Sequence, residues 1–255
     1  MRLPVTLGSQ TSEIAVRRAD VTFELLHSPV AALEVESTDS LLDQVLEAGL
    51  EDHGDGDVYA ARLWPSAYAA TAVLLRRLAG SGASARSVCE IGCGPGLPSL
   101  AALAAGARTV TATDWSPLAL ALVAHAARGF QPARAPRLLT AQLDVFSTDA
   151  AASELLRCDY LVAADMLYDP ATAEAVGRHV GQQVFRHGAT AILGDPGRQS
   201  GRGRAAFVHG VRHAGWPAFE CPAFTEEPLP EAWRGVGEKT TVGVCVIEPS
   251  ADGGA

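Results

Sequence analysis

Three glycines at alternate positions form the most informative short pattern in the sequence. They lie in Glu90-Ile91-Gly92-Cys93-Gly94-Pro95-Gly96-Leu97, between an apolar run that predicts a strand and a run that predicts a helix. Glycine in such a turn permits positive φ and lets a ligand approach the backbone. A dinucleotide-binding turn has its third glycine where this chain has Leu97, and a P-loop requires Gly-Lys followed by Ser or Thr. The turn therefore favours a nucleoside-like ligand without a pyrophosphate.

Two aspartates at strand ends add hydrogen-bond acceptors near this turn. Asp114 ends the second predicted strand, and a carboxylate there can accept hydrogen bonds from both hydroxyls of a ribose. Asp144 ends the third strand, where it could accept from the exocyclic amine of adenine or belong to a surface loop. The carboxyl ends of parallel strands form one ligand-binding edge, so we expect both aspartates to lie beside the glycine turn.

Strands and helices alternate from Tyr59 onwards, and this order predicts the elements that position the turn. The predicted strands span 87–91, 109–113, 138–143, 160–164, 189–193, 219–224 and 241–247. Strands that alternate with helices indicate an α/β fold of parallel βαβ units with right-handed crossovers. The last two strands have no clear helix between them, which indicates an antiparallel insertion at the sheet edge.

Composition limits the class of partner. The 255 residues are 48% hydrophobic and carry a net charge of −9, which is ample for a buried core and unfavourable for binding nucleic acid or an anionic membrane. The longest apolar runs are shorter than the ~18 residues of a membrane span. Residues 1–20 lack a leader-like apolar segment. We expect a monomeric cytoplasmic protein, with an organellar location left open.

The chain is expected to divide into three parts. Residues 1–56 predict an N-terminal extension, with a hairpin around Gly8-Ser9-Gln10 and a short helix over Leu41–Leu50. Residues 57–249 predict one α/β domain, and residues 250–255 a disordered tail.

No metal site is expected from the sequence. The cysteine count is odd, and Cys89 and Cys93 fit a strand and a turn better than a ligand pair. The histidines are scattered along the predicted helices and loops, and their spacing matches no metal-ligand motif that we trust.

Three further segments carry a family resemblance. They are Tyr59-Ala60-Ala61-Arg62-Leu63-Trp64-Pro65-Ser66, Ala164-Asp165-Met166-Leu167-Tyr168-Asp169 and Leu193-Gly194-Asp195-Pro196-Gly197-Arg198. Together with the glycine turn and the strand-end aspartates, they resemble the class I S-adenosylmethionine-dependent methyltransferases. The closest branch is the small protein-lysine methyltransferases, in particular the electron transfer flavoprotein β-subunit lysine methyltransferase. The resemblance implies a Rossmann-like, seven-stranded, mostly parallel sheet with an antiparallel final strand and helices on both faces.

The resemblance also implies roles for individual residues. The cofactor S-adenosylmethionine would be held by Trp64, Glu90, Gly92, Gly94, Gly96, Asp114, Trp115, Asp144 and Asp165. Asp165 and Tyr168 would be catalytic, with Tyr168 one helical turn beyond Asp165 if the segment continues as a helix. Substrate would contact Tyr168, Asp195 and Arg198.

Simpler roles compete with these assignments. Asp165 could cap the next helix, and Asp195 could belong to an ordinary turn. Arg198 could join Arg202 and Arg204 in a solvated basic cluster or contact an acidic protein partner.

The predicted reaction is methyl transfer to a lysine side chain of a protein substrate. A lysine has a pKa of ~10.4 in water and must lose a proton before it can attack, and Asp165 could orient it and help pass that proton to water. One alternative acceptor is a small nicotinamide-like amine, which needs no deprotonation. The other alternative is a cofactor-binding interaction module without turnover.

Overall fold

The computed structural model describes residues 1–7, 10–47, 58–197, 201–233 and 240–249. The N-terminal part contains β1 (Arg2–Leu7), β2 (Gln10–Val21), β3 (Val30–Val35) and α1 (Thr38–Glu47). β1 and β2 pair as an antiparallel hairpin, and β3 adds a third antiparallel strand that the sequence did not predict. Residues 8–9, 48–57 and 250–255 lie outside the described ranges, so the expected tail and the boundary at residue 56 stay predictions.

The larger sheet has seven strands, as predicted. They are β4 (Ser87–Ile91), β5 (Thr109–Asp114), β6 (Leu138–Gln142), β7 (Tyr160–Ala164), β8 (Thr190–Asp195), β9 (Thr225–Pro228) and β10 (Thr241–Ile247). Their order is β6-β5-β4-β7-β8-β10-β9, with β4 to β8 parallel. β10 runs antiparallel to both of its neighbours, which confirms the expected insertion at the sheet edge.

The predicted strand over Phe219–Phe224 is wrong. That segment is irregular, and β9 begins only at Thr225. Pro222 lies within the segment and has no N–H to donate to a sheet ladder. The apolar character of the segment has another cause, because the Phe219 ring packs edge-on against Phe185 and Phe207.

Helices cover both faces of this sheet. They are α2 (Pro65–Ser81), α3 (Leu97–Ala104), α4 (Pro117–Phe130), α5 (Ala150–Leu155), α6 (Pro170–Gly181) and α7 (Arg202–His213). α2, α3 and α4 share one apolar cluster, and α5, α6 and α7 contribute to another. Side chains alternate between these clusters along the central strands, as a two-residue period requires. In β7, Val162 joins the first cluster and Leu161 the second.

The N-terminal sheet forms a further layer over α3 and α4. Ile14 and Leu33 belong to the same buried cluster as Leu100 of α3 and Leu122 of α4. No helix in the described ranges is long and apolar enough to cross a bilayer.

Candidate active site

A cavity of about 620 Å³ opens at the carboxyl ends of β4, β5 and β7. Its size lies in the range of roughly 300–1,000 Å³ that is usual for small-molecule sites. The sequence-predicted residues that line it are Trp64, Glu90, Gly92, Gly94, Asp114, Trp115, Asp144, Asp165 and Tyr168. The structure therefore brings most of the predicted site together.

The glycine turn after β4 has the conformation that the sequence predicts. Gly92, Gly94 and Gly96 have φ values of 64°, 51° and 72°, which non-glycine residues rarely adopt. A Cβ on Gly92 would meet the Sδ atom of Met166, and one on Gly94 would lie 3.1 Å from the carbonyl oxygen of Ala60. The first two glycines therefore let Met166 and the segment at Ala60 pack directly against the turn at the cavity wall.

Gly96 serves packing instead. It precedes the first residue of α3, and a Cβ there would lie 2.5 Å from a methyl group of Val123. Gly96 is absent from the residues that line the cavity, so its geometry does not support the predicted direct contact with a cofactor.

Asp114 connects the end of β5 to the glycine turn. Its Oδ2 accepts a hydrogen bond from the Gly94 backbone N–H at 2.8 Å, and its Oδ1 accepts one from the Ser116 N–H at 2.8 Å. These two bonds fix the Asp114 carboxylate beside the glycine turn, where the predicted ribose-binding residue is expected.

Glu90 lies beneath the turn at the N-terminal end of α3. Its Oε2 accepts hydrogen bonds from the backbone N–H and the hydroxyl of Ser99, in the first turn of the helix, where the helix dipole favours a negative charge. Burial nevertheless raises the pKa of Glu90 to about 8, and the nearby charge of Asp114 acts in the same direction.

Asp165 occupies a strained backbone position at the end of β7. Its φ is 61°, and it is the one non-glycine residue with positive φ in the described part of the chain. Its N–H donates to the Gly194 carbonyl at 2.8 Å, and its Oδ2 accepts a hydrogen bond from the Ser66 hydroxyl at 3.2 Å. Such strain concentrates at functional sites.

The capping alternative for Asp165 is not what the structure shows. Asp169 is the N-cap of α6, with its carboxylate accepting from the Thr172 N–H at 2.9 Å. Because α6 begins at Pro170, Tyr168 precedes the helix and does not lie one helical turn beyond Asp165. The Tyr168 side chain is 45% exposed and lines the cavity.

Ser66 and Gly194 are supporting residues that the sequence reasoning missed. Ser66 is fully buried in the first turn of α2. A Cβ on Gly194 would lie 2.7 Å from the Ser66 carbonyl oxygen, so glycine allows α2 to approach β8 closely enough for Ser66 to reach Asp165. Both residues stand inside segments that carry the family resemblance, which was the available signal.

Aromatic side chains surround the opening of the cavity. The Trp64 indole N–H donates to the Tyr59 carbonyl at 3.2 Å. Trp115 and Phe146 are about half exposed and line the cavity, and Asp144 accepts a hydrogen bond from the Phe146 N–H at 2.9 Å. Phe146 was not predicted, because no local pattern marks a single aromatic residue in a loop.

The third resemblance segment lies beside the cavity residues without lining the cavity. Asp195 is 3% exposed, and its carboxylate is ion-paired with Arg204, whose guanidinium also stacks 3.8 Å from the ring centroid of Phe224. This buried position does not support the substrate contact predicted for Asp195. Because Arg204 pairs with Asp195 and stacks on Phe224, it does not belong to a solvated basic cluster. Arg198 lies outside the described residues.

Negative charge dominates the cavity lining. Three aspartates, Asp114, Asp144 and Asp165, carry it, since the raised pKa of Glu90 keeps that residue protonated at neutral pH; the basic residue among the described ones is Arg62. The Arg62 Nε lies 3.4 Å from Glu34, a buried residue of the N-terminal sheet. The cavity is thus suited electrostatically to a cationic ligand.

Sequence comparison finds methyltransferases. The family model of ribosomal protein L11 methyltransferase (PrmA) matches residues 67–161. The electron transfer flavoprotein beta subunit lysine methyltransferase of Danio rerio is 31% identical over 142 residues, 56% of this chain and 51% of the relative. The Mus musculus protein of the same name is 28% identical over 159 residues, 62% of this chain and 56% of the relative. The chain thus spans about half the length of the curated relatives it matches.

Structure comparison agrees on the fold. The magnesium protoporphyrin IX methyltransferase (ChlM) of Synechocystis PCC 6803, solved with bound SAH, has a TM-score of 0.52 and 14% identity. The match covers 84% of this chain and 100% of that one. The predicted Rossmann-like fold class is confirmed. In its strand order and in part of its sequence, the chain is thus similar to class I S-adenosylmethionine-dependent methyltransferases.

Proposed function

We propose that the chain is an S-adenosylmethionine-dependent N-methyltransferase that acts on a lysine side chain of a protein substrate. The observation that carries the proposal is one acidic cavity in which the glycine turn and the strained Asp165 occur together. The names of the Danio rerio and Mus musculus relatives favour lysine as the acceptor.

The residues of the cavity fit the cofactor. The backbone of the turn at Gly92 and Gly94 lines the cavity, where it would hold the amino-acid part near Trp64. Asp114 would accept the ribose hydroxyls, while Trp115 would flank the adenine and Asp144 would meet its amine. S-adenosylmethionine supplies an electrophilic methyl group on a positively charged sulfur, and the acidic lining suits that charge.

Asp165 would prepare the amine. An incoming lysine is an ammonium ion at neutral pH and must become neutral before its nitrogen can attack. The Asp165 carboxylate would accept a hydrogen bond from this ammonium ion, orient it and help pass a proton to solvent. The Ser66 hydroxyl holds one oxygen of Asp165, which restricts the direction of the carboxylate.

Tyr168 would position the same nitrogen. Its partly exposed side chain lies at the cavity, where the hydroxyl could accept a hydrogen bond from the amine. Because a sulfonium methyl donor is already activated, positioning and electrostatics account for most of what the protein must contribute.

The test is methyl transfer from isotope-labelled S-adenosylmethionine in two parallel arms. One arm contains a cell proteome, and the other contains small amines that include nicotinamide. We expect label on lysines of one or a few proteins, located by mass spectrometry. Transfer only to small amines would overturn the protein substrate, and cofactor binding without product in either arm would overturn the enzyme function.

A further inference from the structure

A cluster of three potential metal ligands lies on the surface between α6 and α7. Glu174 of α6 faces His209 and His213 of α7, and the relevant ligand atoms lie within 4.8 Å of one another. We propose that these three side chains form a binding site for a divalent transition-metal ion of the Zn²⁺ or Ni²⁺ type.

Close packing of the two helices brings the three side chains together. A Cβ on Gly210 would overlap the Glu174 carbonyl oxygen, and one on Gly203 would overlap the Leu167 carbonyl oxygen. Glycine at both positions lets α7 approach the start of α6 more closely than a side chain would allow. Gly210 follows His209 directly and faces Glu174, so one of these close contacts lies where the three ligands converge.

The geometry needs only small side-chain adjustments. His209 Nδ1 lies 3.2 Å from Glu174 Oε2, and His213 Nδ1 lies 3.7 Å from Glu174 Oε1. Ligand nitrogens and oxygens lie about 2.0–2.2 Å from a bound Zn²⁺, so the atoms must close around the ion. The two histidine side chains are more than half exposed, and such side chains can change rotamer at low cost.

Histidines four residues apart on a helix present their rings on one face. The His209 and His213 ring centroids are 3.9 Å apart, so one ion can reach both rings. This leaves Glu174 as the third ligand and an open position on the solvent side.

The ligand types select the class of metal. Two imidazoles with one carboxylate suit Zn²⁺, Ni²⁺, Cu²⁺ or Co²⁺, whereas Ca²⁺ and Mg²⁺ prefer sites made of oxygens alone. Arg178 also contacts Glu174, with its Nη1 3.2 Å from Oε1. The ion must compete with this guanidinium, so we expect moderate affinity.

Calorimetric titration of the metal-free full chain with NiCl₂ tests the site. Ni²⁺ is the probe because thiolates compete more strongly for Zn²⁺. We expect one Ni²⁺ per chain, with the affinity at least about tenfold lower in His209→Ala and in His213→Ala. Glu174→Gln is expected to weaken binding by a smaller factor. The control is His27→Ala, which removes an exposed histidine outside the cluster and should leave the affinity unchanged.

A second measurement separates this cluster from the cysteines. Co²⁺ bound by nitrogen and oxygen ligands lacks the intense thiolate charge-transfer absorption, and we expect a spectrum without it. A thiolate spectrum would overturn the proposal, as would Ni²⁺ affinity that survives both histidine substitutions or the absence of Ni²⁺ binding at millimolar concentration. Circular dichroism of each variant confirms that it is folded, and none of these outcomes depends on methyl transfer.

Discussion

Two buried glutamates, Glu90 at the cavity floor beneath the glycine turn and Glu34 at the junction between the N-terminal sheet and the segment at Leu63, have different partners. At the junction, Glu34 is 5% exposed and accepts hydrogen bonds from the Arg17 guanidinium at 2.7 and 3.0 Å. Its other oxygen accepts from the Leu63 N–H at 3.0 Å and pairs with Arg62. Beneath the glycine turn, Glu90 accepts hydrogen bonds from the backbone N–H and the hydroxyl of Ser99, and its raised pKa keeps it protonated at neutral pH.

Glu34 therefore has a structural role, whereas the cavity carboxylates lie where a ligand would bind. Cations from the chain itself neutralise Glu34, and its second oxygen holds the segment at Leu63 that forms one cavity wall. In the cavity, hydrogen bonds from backbone N–H groups position Asp114, and one from the Ser66 hydroxyl positions Asp165.

The largest expected effect is on catalysis by the cavity carboxylate Asp165. Asp165→Asn keeps a side chain that tolerates the left-handed conformation and can still accept from Ser66, but it removes the negative charge. We expect the single-turnover methylation rate of a lysine substrate to fall by roughly 10²–10⁴-fold at saturating cofactor.

Asp169→Asn is the matched control, because asparagine caps a helix about as well as aspartate. It should retain nearly the full rate. A mild effect of Asp165→Asn would contradict the lysine mechanism and favour an acceptor that needs no deprotonation, such as a pyridine nitrogen.

An intermediate effect is expected on the pH dependence of stability. The folded chain keeps the Glu90 proton up to about pH 8, whereas an ordinary glutamate loses it near 4.5. Folding therefore takes up a proton between these values, and the contribution of Glu90 to stability becomes less favourable as pH rises. Relative to the wild type, Glu90→Gln should gain about 1.4 kcal/mol of unfolding free energy per pH unit in this window.

Urea denaturation at several pH values measures this slope. Glu154→Gln, at a residue whose side chain is 70% exposed, is expected to follow the wild-type profile. A Glu90→Gln profile parallel to the wild type would show that folding does not raise the pKa of Glu90.

The smallest expected effect is on the free energy of unfolding when the paired carboxylate Glu34 is replaced. Glu34→Gln removes the charge that faces Arg17 and Arg62 and weakens the bond to the Leu63 N–H. We expect a loss of about 1–3 kcal/mol in the free energy of unfolding. Urea denaturation checks it, with Asp20→Asn, in an exposed pair with Arg18, expected to cost less than about 1 kcal/mol. Equal losses in the two variants would show that the buried Glu34 stabilises the fold no more than the exposed pair of Asp20 and Arg18 does.

Local patterns predicted the parts of the site that depend on a single element. The turn containing Gly92 and Gly94 and the aspartate ending β5 were predictable, because backbone conformation and strand ends follow from neighbouring residues. The same reasoning failed at Phe219–Phe224, where apolar side chains pack as an irregular segment around Pro222. Hydrophobicity indicates burial, but the backbone hydrogen bonds decide whether a buried segment is a strand.

The sequence by itself determined the parallel sheet, the glycine turn and the strand-end carboxylates, since each follows from periodicity or residue type over a few positions. Only the tertiary structure decided which distant groups meet those carboxylates. Ser66 reaches Asp165 across 99 positions of sequence, Arg62 pairs with Glu34, and His209 meets Glu174 between two helices. These contacts depend on how closely separate elements pack, which small residues such as Gly194 and Gly210 control and which no local pattern encodes.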